Sequence, residues 1–209
     1  MSFADRTEAG RRLGTELIER GVAGDIVLAI PRGGLPLGRA VADTLDRPLD
    51  VVVAKKIGAP HNPEYAIGAV ASDGSVWLNE DAIGTLDIDT AYLEAERTEM
   101  ASAAREKAQR YRGDRELPTI EGKAVVIVDD GVATGATVRA CIERVTNVGA
   151  DRIVLAVPVG SPQTIDELRS MVDEVVCLET PRNFRAVGQF YDRFDQVQDE
   201  QAMTYLDKS

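Results

Sequence analysis

Asp129 and Asp130 stand side by side at the end of an apolar run, Val125 to Val128, and are followed by Gly131-Val132-Ala133-Thr134-Gly135-Ala136-Thr137. The run suits a buried parallel strand, and the stretch after the loop reads as a helix. A strand, a loop of small residues and a helix N-terminus together make an anion site, because unpaired backbone N–H groups and the positive end of the helix dipole point into the loop. Small residues let a phosphate reach the backbone. Thr134 and Thr137 add hydroxyl donors, while the two carboxylates can accept from sugar hydroxyls or hold the water shell of a divalent metal. An ordinary turn capped by Thr134 would explain the loop but not two acids at the same strand end.

The spacing lacks the Gly-Lys-Ser/Thr ending of nucleoside-triphosphate loops and the three glycines of the dinucleotide fingerprint. The stretch VVIVDDGVATGATV instead resembles the signature of type I phosphoribosyltransferases: an apolar strand, two acids, then a Thr-Gly-x-Thr loop. The resemblance implies a donor, 5-phosphoribosyl 1-diphosphate (PRPP), bound with Mg2+. By that likeness Ala133, Thr134, Gly135, Ala136 and Thr137 hold the 5-phosphate. Asp129 and Asp130 hold the ribose and meet the metal indirectly, through water or the PRPP hydroxyls.

Basic residues close two further strands. Ile26 to Ile30 reads as a buried strand ending in Pro31-Arg32-Gly33-Gly34, where paired glycines free the backbone and expose amide donors. Leu49 to Ala54 reads as another, terminated by Lys55-Lys56 at the carboxyl end, where open α/β sheets bind ligands. In the resembling family a basic-Gly-Gly loop receives the diphosphate, so Arg32, Gly33, Gly34, Lys55 and Lys56 are the expected diphosphate contacts. Gly58 to Pro63 has the Gly and Pro content of the mobile loop that follows in that family. His61, within it, is either an ordinary loop residue or a second contact to the leaving diphosphate.

The remaining elements must hold these points in register. Asp5 to Arg20 reads as an amphipathic helix with Ala9, Leu13, Leu17 and Ile18 on one side and Gly21 past its end, and Leu35 to Leu45 as a second helix. Tyr65 to Val70 and Val76 to Leu78 flank a hairpin turn at Ser72-Asp73-Gly74. Asp87 to Arg112 is a long charged helix, capped by Asp87 or Asp89 and closed by Gly113. Beyond the acid loop come a helix (Val138 to Val148), a strand (Arg152 to Val159), a helix (Thr164 to Met171) and a strand (Glu174 to Leu178). Strands alternating with helices predict an α/β fold with a mostly parallel, doubly covered sheet. One domain over 1–209 is expected, with a mobile loop, hairpin and helical insertion at 58–113 and a tail at 179–209. In the resembling family such a tail forms a hood over the acceptor, which marks Phe184, Phe190, Tyr191 and Phe194 as acceptor-stacking residues.

A chain of 209 residues with 44% apolar and 28% charged residues suits a globular protein. No apolar run is long enough to span a membrane and no secretory leader is apparent, so a cytoplasmic protein is expected, with Cys141 and Cys177 reduced. The net charge of −11 disfavours nucleic acid and anionic membranes as partners. The resemblance implies a homodimer, and transfer of the 5-phosphoribosyl group from PRPP to a nitrogenous acceptor, a nucleobase or related compound, with release of diphosphate. The alternative is a regulatory protein that binds PRPP without turnover. One departure matters: Ala133 stands where relatives acting on 6-oxopurines often carry an aspartate as proton acceptor. Alanine takes no proton, which leaves the general base open, with Glu64, Asp192 or another tail acid to supply it.

Overall fold

The computed structural model describes residues 2–115 and 118–207. Glu116 and Leu117 of the polar stretch before the central strand, Lys208 and Ser209 of the tail, and Met1 lie outside the described residues.

The chain opens with α1 (Arg6–Glu19), β1 (Ile26–Ala29), α2 (Gly34–Leu45) and β2 (Leu49–Val51). It then leaves the first sheet for β3 (Ala54–Ala59), β4 (Asn62–Ala71) and β5 (Val76–Leu78), followed by α3 (Glu80–Thr85) and α4 (Thr90–Arg112). The second half runs β6 (Ala124–Val128), α5 (Ala136–Asn147), β7 (Arg152–Val159), α6 (Pro162–Leu168) and β8 (Glu174–Glu179). A 3-10 turn at Val187–Phe190 and α7 (Asp199–Thr204) complete the tail.

Five strands form an all-parallel sheet in the order β2-β1-β6-β7-β8, so the carboxyl ends of β1, β6 and β7 lie side by side. Alternation divides their side chains between two cores. Val27, Ala29, Val126 and Val128 pack with α1, α2 and the tail, whereas Ile26, Leu28, Val125 and Ile127 pack with α5 and α6. Both faces are therefore covered, as the continuous apolar strands require. A separate antiparallel sheet, β3-β4-β5, packs on α4 through Ala101 and its neighbours.

Several boundaries differ from the sequence-based expectation. The strand expected to run from Leu49 to Ala54 stops at Val51, and Lys55 and Lys56 do not end it but lie inside β3, opposite Val70 and Ala69. Val52 and Val53 are fully buried, so apolar content continues across the break and hides it. Gly58 to Pro63 is not a separate loop but the β3–β4 hairpin end, with Ala59 opposite Asn62. The short helix α3 has no counterpart in the sequence-based reading, and Ile18 lies off the packed face of α1, 55% exposed. Asp89, not Asp87, caps α4, accepting from Ala91 N at 3.0 Å. Among the described residues no helix is long and apolar enough to cross a membrane.

Helices α1 and α2 approach through glycine. A Cβ on Gly10 would stand 2.5 Å from Leu37 O and 2.8 Å from Ala40 Cβ. Ala in place of Gly gains about 1 kcal/mol of helix propensity, but a backbone carbonyl cannot yield, and overpacking costs about 1–3 kcal/mol. Gly10→Ala is therefore expected to lower stability in denaturant unfolding; an increase would show that the helices separate without loss.

Candidate active site

The site is built at the carboxyl ends of β1 and β6. After β6, Asp129 and Asp130 turn in beneath the start of α2, and Gly33 is the residue that makes room: a Cβ there would fall 2.0 Å from Asp130 Oδ2. Asp130 N donates to Asp129 Oδ1 at 2.9 Å. Arg6 Nε donates to Asp130 Oδ2 at 2.7 Å, and Tyr191 Oη donates to the Asp130 carbonyl at 2.6 Å. Burial, and then the charge of Asp130, push the Asp129 carboxyl well above the usual range. Burial also raises Asp130, with Arg6 opposing the shift.

The following loop is pinned to the neighbouring strand. Val132 N donates to Val159 O at 2.9 Å, Ser161 N to Val132 O at 2.9 Å, and Thr164 Oγ1 to the Ala133 carbonyl at 2.7 Å. Gly135 adopts φ 76°, a left-handed conformation that suits glycine, and α5 starts at the next residue. The result is a cavity of about 200 Å3 walled by Asp129, Thr134, Gly135, Ala136 and Thr137, with Lys56 and Val187 at its rim. Of the sequence-expected residues, Asp129 and the loop from Ala133 to Thr137 thus face one space, at the N-terminus of a twelve-residue helix, while Asp130 lies outside its lining, against Arg6.

The structure divides the lysine pair. Lys56 faces the loop cavity, whereas Lys55 interacts electrostatically with Lys107 of α4, as does Arg32. Lys107 Nζ donates to the Pro31 carbonyl at 3.1 Å, on the Arg32-Gly33-Gly34 turn. Burial first, then the charge of Lys55, lower the Lys107 ammonium to about 8. Asp199 of α7 closes this basic group, with Tyr111 Oη donating to Oδ1 at 2.5 Å, Arg110 at 3.3 Å from Oδ2 and Arg32 at 3.8 Å from Oδ1.

Arg6, Lys107, Tyr111 and Asp199 were missed by sequence reasoning. Lys107 carried one usable signal, being one of only five lysines in the chain; the others sit in ordinary helical patterns whose three-dimensional neighbours are far away in sequence. His61 lines a different cavity, with Tyr65, Leu86 and Tyr92. Glu64 and Asp192 are exposed and outside the lining of the loop cavity. Of the four tail aromatics, Tyr191 departs from expectation. It is only 7% exposed, with its ring between Phe3 and Phe194, so no face is free for a planar ligand. Phe194 lies under the Arg6 guanidinium at 3.8 Å, and Phe184 and Phe190 stack on each other at 5.6 Å.

The Arg6–Asp130 pair has side chains 11% and 15% exposed, and removing one partner of such a pair leaves the other charge uncompensated. Arg6→Gln is expected to cost about 2 kcal/mol near neutral pH, discounted from fully buried pairs for solvent access. Since the change raises the folded-state pKa of Asp130 further, the loss should shrink on acidification, as the carboxyl protonates. Unfolding curves across pH, with Asp130→Asn as the second arm of a double-mutant cycle, test this; a pH-independent loss would remove the pair from the account.

Comparison with known proteins agrees with this geometry. The family model of the phosphoribosyl transferase domain matches residues 6–195. A Mycobacterium tuberculosis protein, named provisionally as a phosphoribosyl transferase, is 41% identical over 207 residues, covering 99% of this chain and 47% of the relative. The chain thus spans about half the length of that curated relative. The crystal structure of TT1426 from Thermus thermophilus superposes with a TM-score of 0.84 at 42% identity, covering 99% of this chain and 98% of that one. A purine phosphoribosyltransferase from Pyrococcus horikoshii shares the fold, with a TM-score of 0.50 at 19% identity and 92% coverage of each chain. The chain belongs to the phosphoribosyl transferase family and has the type I fold.

Proposed function

We propose that the protein transfers the 5-phosphoribosyl group of PRPP to a nitrogenous acceptor, a nucleobase or related compound, and releases diphosphate. The observation that carries this reading is the placement of two buried carboxylates between a backbone-amide loop and a separate basic group. Such an arrangement matches a ligand with sugar hydroxyls in the middle and phosphate at either end.

On this reading the amides and hydroxyls of residues 133–137 fix the 5-phosphate, with Lys56 beside them. Asp129 and Asp130 accept from the ribose hydroxyls and favour positive charge developing on the ring as the bond to diphosphate breaks. Arg32, the amides of Gly33 and Gly34, Lys55 and Lys107 stabilise the departing diphosphate. The acids fit a divalent cation in chemistry, being oxygen donors with raised pKa, but among the described residues no group of three or more His, Cys, Asp or Glu side chains converges on one point. Mg2+ would therefore be held largely by PRPP itself, with Asp129 and Asp130 as outer partners, and would supply neutralisation of the diphosphate charge.

The tail at 179–209 acts as the hood and the hairpin end within 58–113 as the mobile element. Phe184 and Phe190, both partly exposed, are the tail rings assigned to the acceptor. Ala133 supplies no proton acceptor, so the acceptor nitrogen reacts without a base from that position. Reduced Cys141 and Cys177 suit a cytoplasmic setting, and a homodimer fits the exposed charged face of α4.

The direct test is diphosphate release from PRPP with Mg2+ across a panel of purines, pyrimidines and small amines, with PRPP binding followed in parallel. Acceptor-dependent release is expected; tight binding without release would transfer the protein to the sensor class, and absence of binding would refute the site. Lys107 is charged below about pH 8 and neutral above it. kcat/KM for PRPP should therefore fall above about pH 8, and Lys107→Gln should abolish that fall while lowering kcat/KM about tenfold at neutral pH, as expected for one lost charged hydrogen bond. Phe184→Ala or Phe190→Ala should raise the acceptor KM without altering PRPP affinity.

A further inference from the structure

A second basic cavity, of about 540 Å3, lies between the C-terminal half of α4, the last turn of α5 and the turn after β4. Arg105, Arg112 and Arg115 enter it from α4 and just beyond, Arg144 from α5, and Asp73 from the turn. It shares no lining residue with the phosphate-loop cavity.

Its guanidinium groups are unequally satisfied. Arg112 donates to Asp50 Oδ2 at 3.1 Å and to Val51 O at 2.8 Å, and Arg115 donates to three backbone carbonyls, those of Tyr111, Arg112 and Leu206. Among the described residues the Arg144 side chain has neither a hydrogen bond nor an ion pair, and its Nε is enclosed with no acceptor. Arg105 likewise has no ion pair among them. Burial, followed by repulsion from Arg112, lowers the pKa of Arg144, while Asp73 offsets part of that effect. A buried donor without an acceptor and a like charge beside it are both costly, and one oxyanion would relieve both. The location is unusual in a chain whose net charge is −11, where most surfaces repel anions.

We propose that this cavity binds the phosphoryl group of a small metabolite at a site separate from the PRPP site. Tetrahedral phosphate turns more acceptor oxygens in more directions than the two coplanar oxygens of a carboxylate, which suits guanidiniums converging from two different elements. The volume falls within the range of small-molecule sites, about 300–1,000 Å3.

The test uses inorganic phosphate as the probe and thermal unfolding as the readout, with KCl controls at matched ionic strength. The background is a Thr134→Val/Thr137→Val variant, in which the loop site is weakened by the loss of both hydroxyl donors. A saturable rise in Tm is expected there. Arg144→Met should move half-saturation at least about tenfold higher, and Arg105→Gln less, as expected for lost charged hydrogen bonds. Without phosphate, Arg144→Met should unfold at the same or a higher temperature, because the uncompensated charge is gone. KCl acting as well as phosphate, or unchanged half-saturation in both arginine variants, would overturn the proposal. Should Arg144→Met fail to fold, the Arg105→Gln shift decides by itself.

Discussion

Two carboxylates on consecutive residues at the end of a buried strand are unfavourable by solvation and by mutual repulsion, and much of the surrounding structure serves to keep them there. Arg6 reaches Asp130 from α1, and Lys107 adds a second positive charge near Asp129 from α4. Neither cation is local in sequence. Arg6 is aimed by α1, which is seated on α2 through Gly10 and Gly14, and α2 begins at the glycines lying over Asp129 and Asp130. Helix contact, turn and carboxylate pair therefore form one packed unit. A side chain added at the helix contact acts on the site through the aim of Arg6.

The two ends of the chain meet at the same point. Phe3 N donates to Phe190 O at 2.8 Å and Asp192 N to Phe3 O at 2.8 Å, a short bridge that sets Tyr191 against Asp130. From that anchor the tail reaches three places: Val187 over the phosphate loop, Phe194 under Arg6, and Asp199 among the basic residues. Aromatic residues concentrated after the last strand thus have more than one task. Tyr191 and Phe194 hold the acid pair in place, while Phe184 and Phe190 remain on the half-exposed side.

The central part of this arrangement was legible in the sequence because it is contiguous. One stretch, from Val125 to Thr137, contains the strand, both acids and the amide loop, and the parallel sheet follows from apolar strands alternating with helices. What failed to show depended on chain reversal or distance. Val52 and Val53 continue an apolar run across the point where the chain changes sheets, so β2 and β3 read as one strand and Lys55-Lys56 as its end. Strand alternation then separates two lysines that look equivalent in the sequence. Arg6 and Asp199 were invisible for a different reason: each lies in a charged helical segment, and its partner is more than 80 residues away.

Asp199 adds a physical consequence to the proposed chemistry. Its carboxylate lies among the basic residues Arg32, Lys107 and Arg110, so the protein's own charge neutralises part of the proposed diphosphate site. The hydrogen bond from Tyr111 comes first among the influences that lower the Asp199 pKa, with Arg32, Lys107 and Arg110 adding to it, so the group is ionised at neutral pH. An incoming diphosphate brings more charge than one carboxylate and several more acceptor oxygens. The side chain of Asp199 is 27% exposed and its helix is only six residues long, so water can take over its solvation when it leaves. Exchange of Asp199 for a phosphate group is then favoured by charge and opposed mainly by the Tyr111 hydrogen bond, worth about 1.5–3 kcal/mol for a charged acceptor. That balance couples occupancy of the basic group to the seating of α7, and through the tail to the residues that cover Asp130.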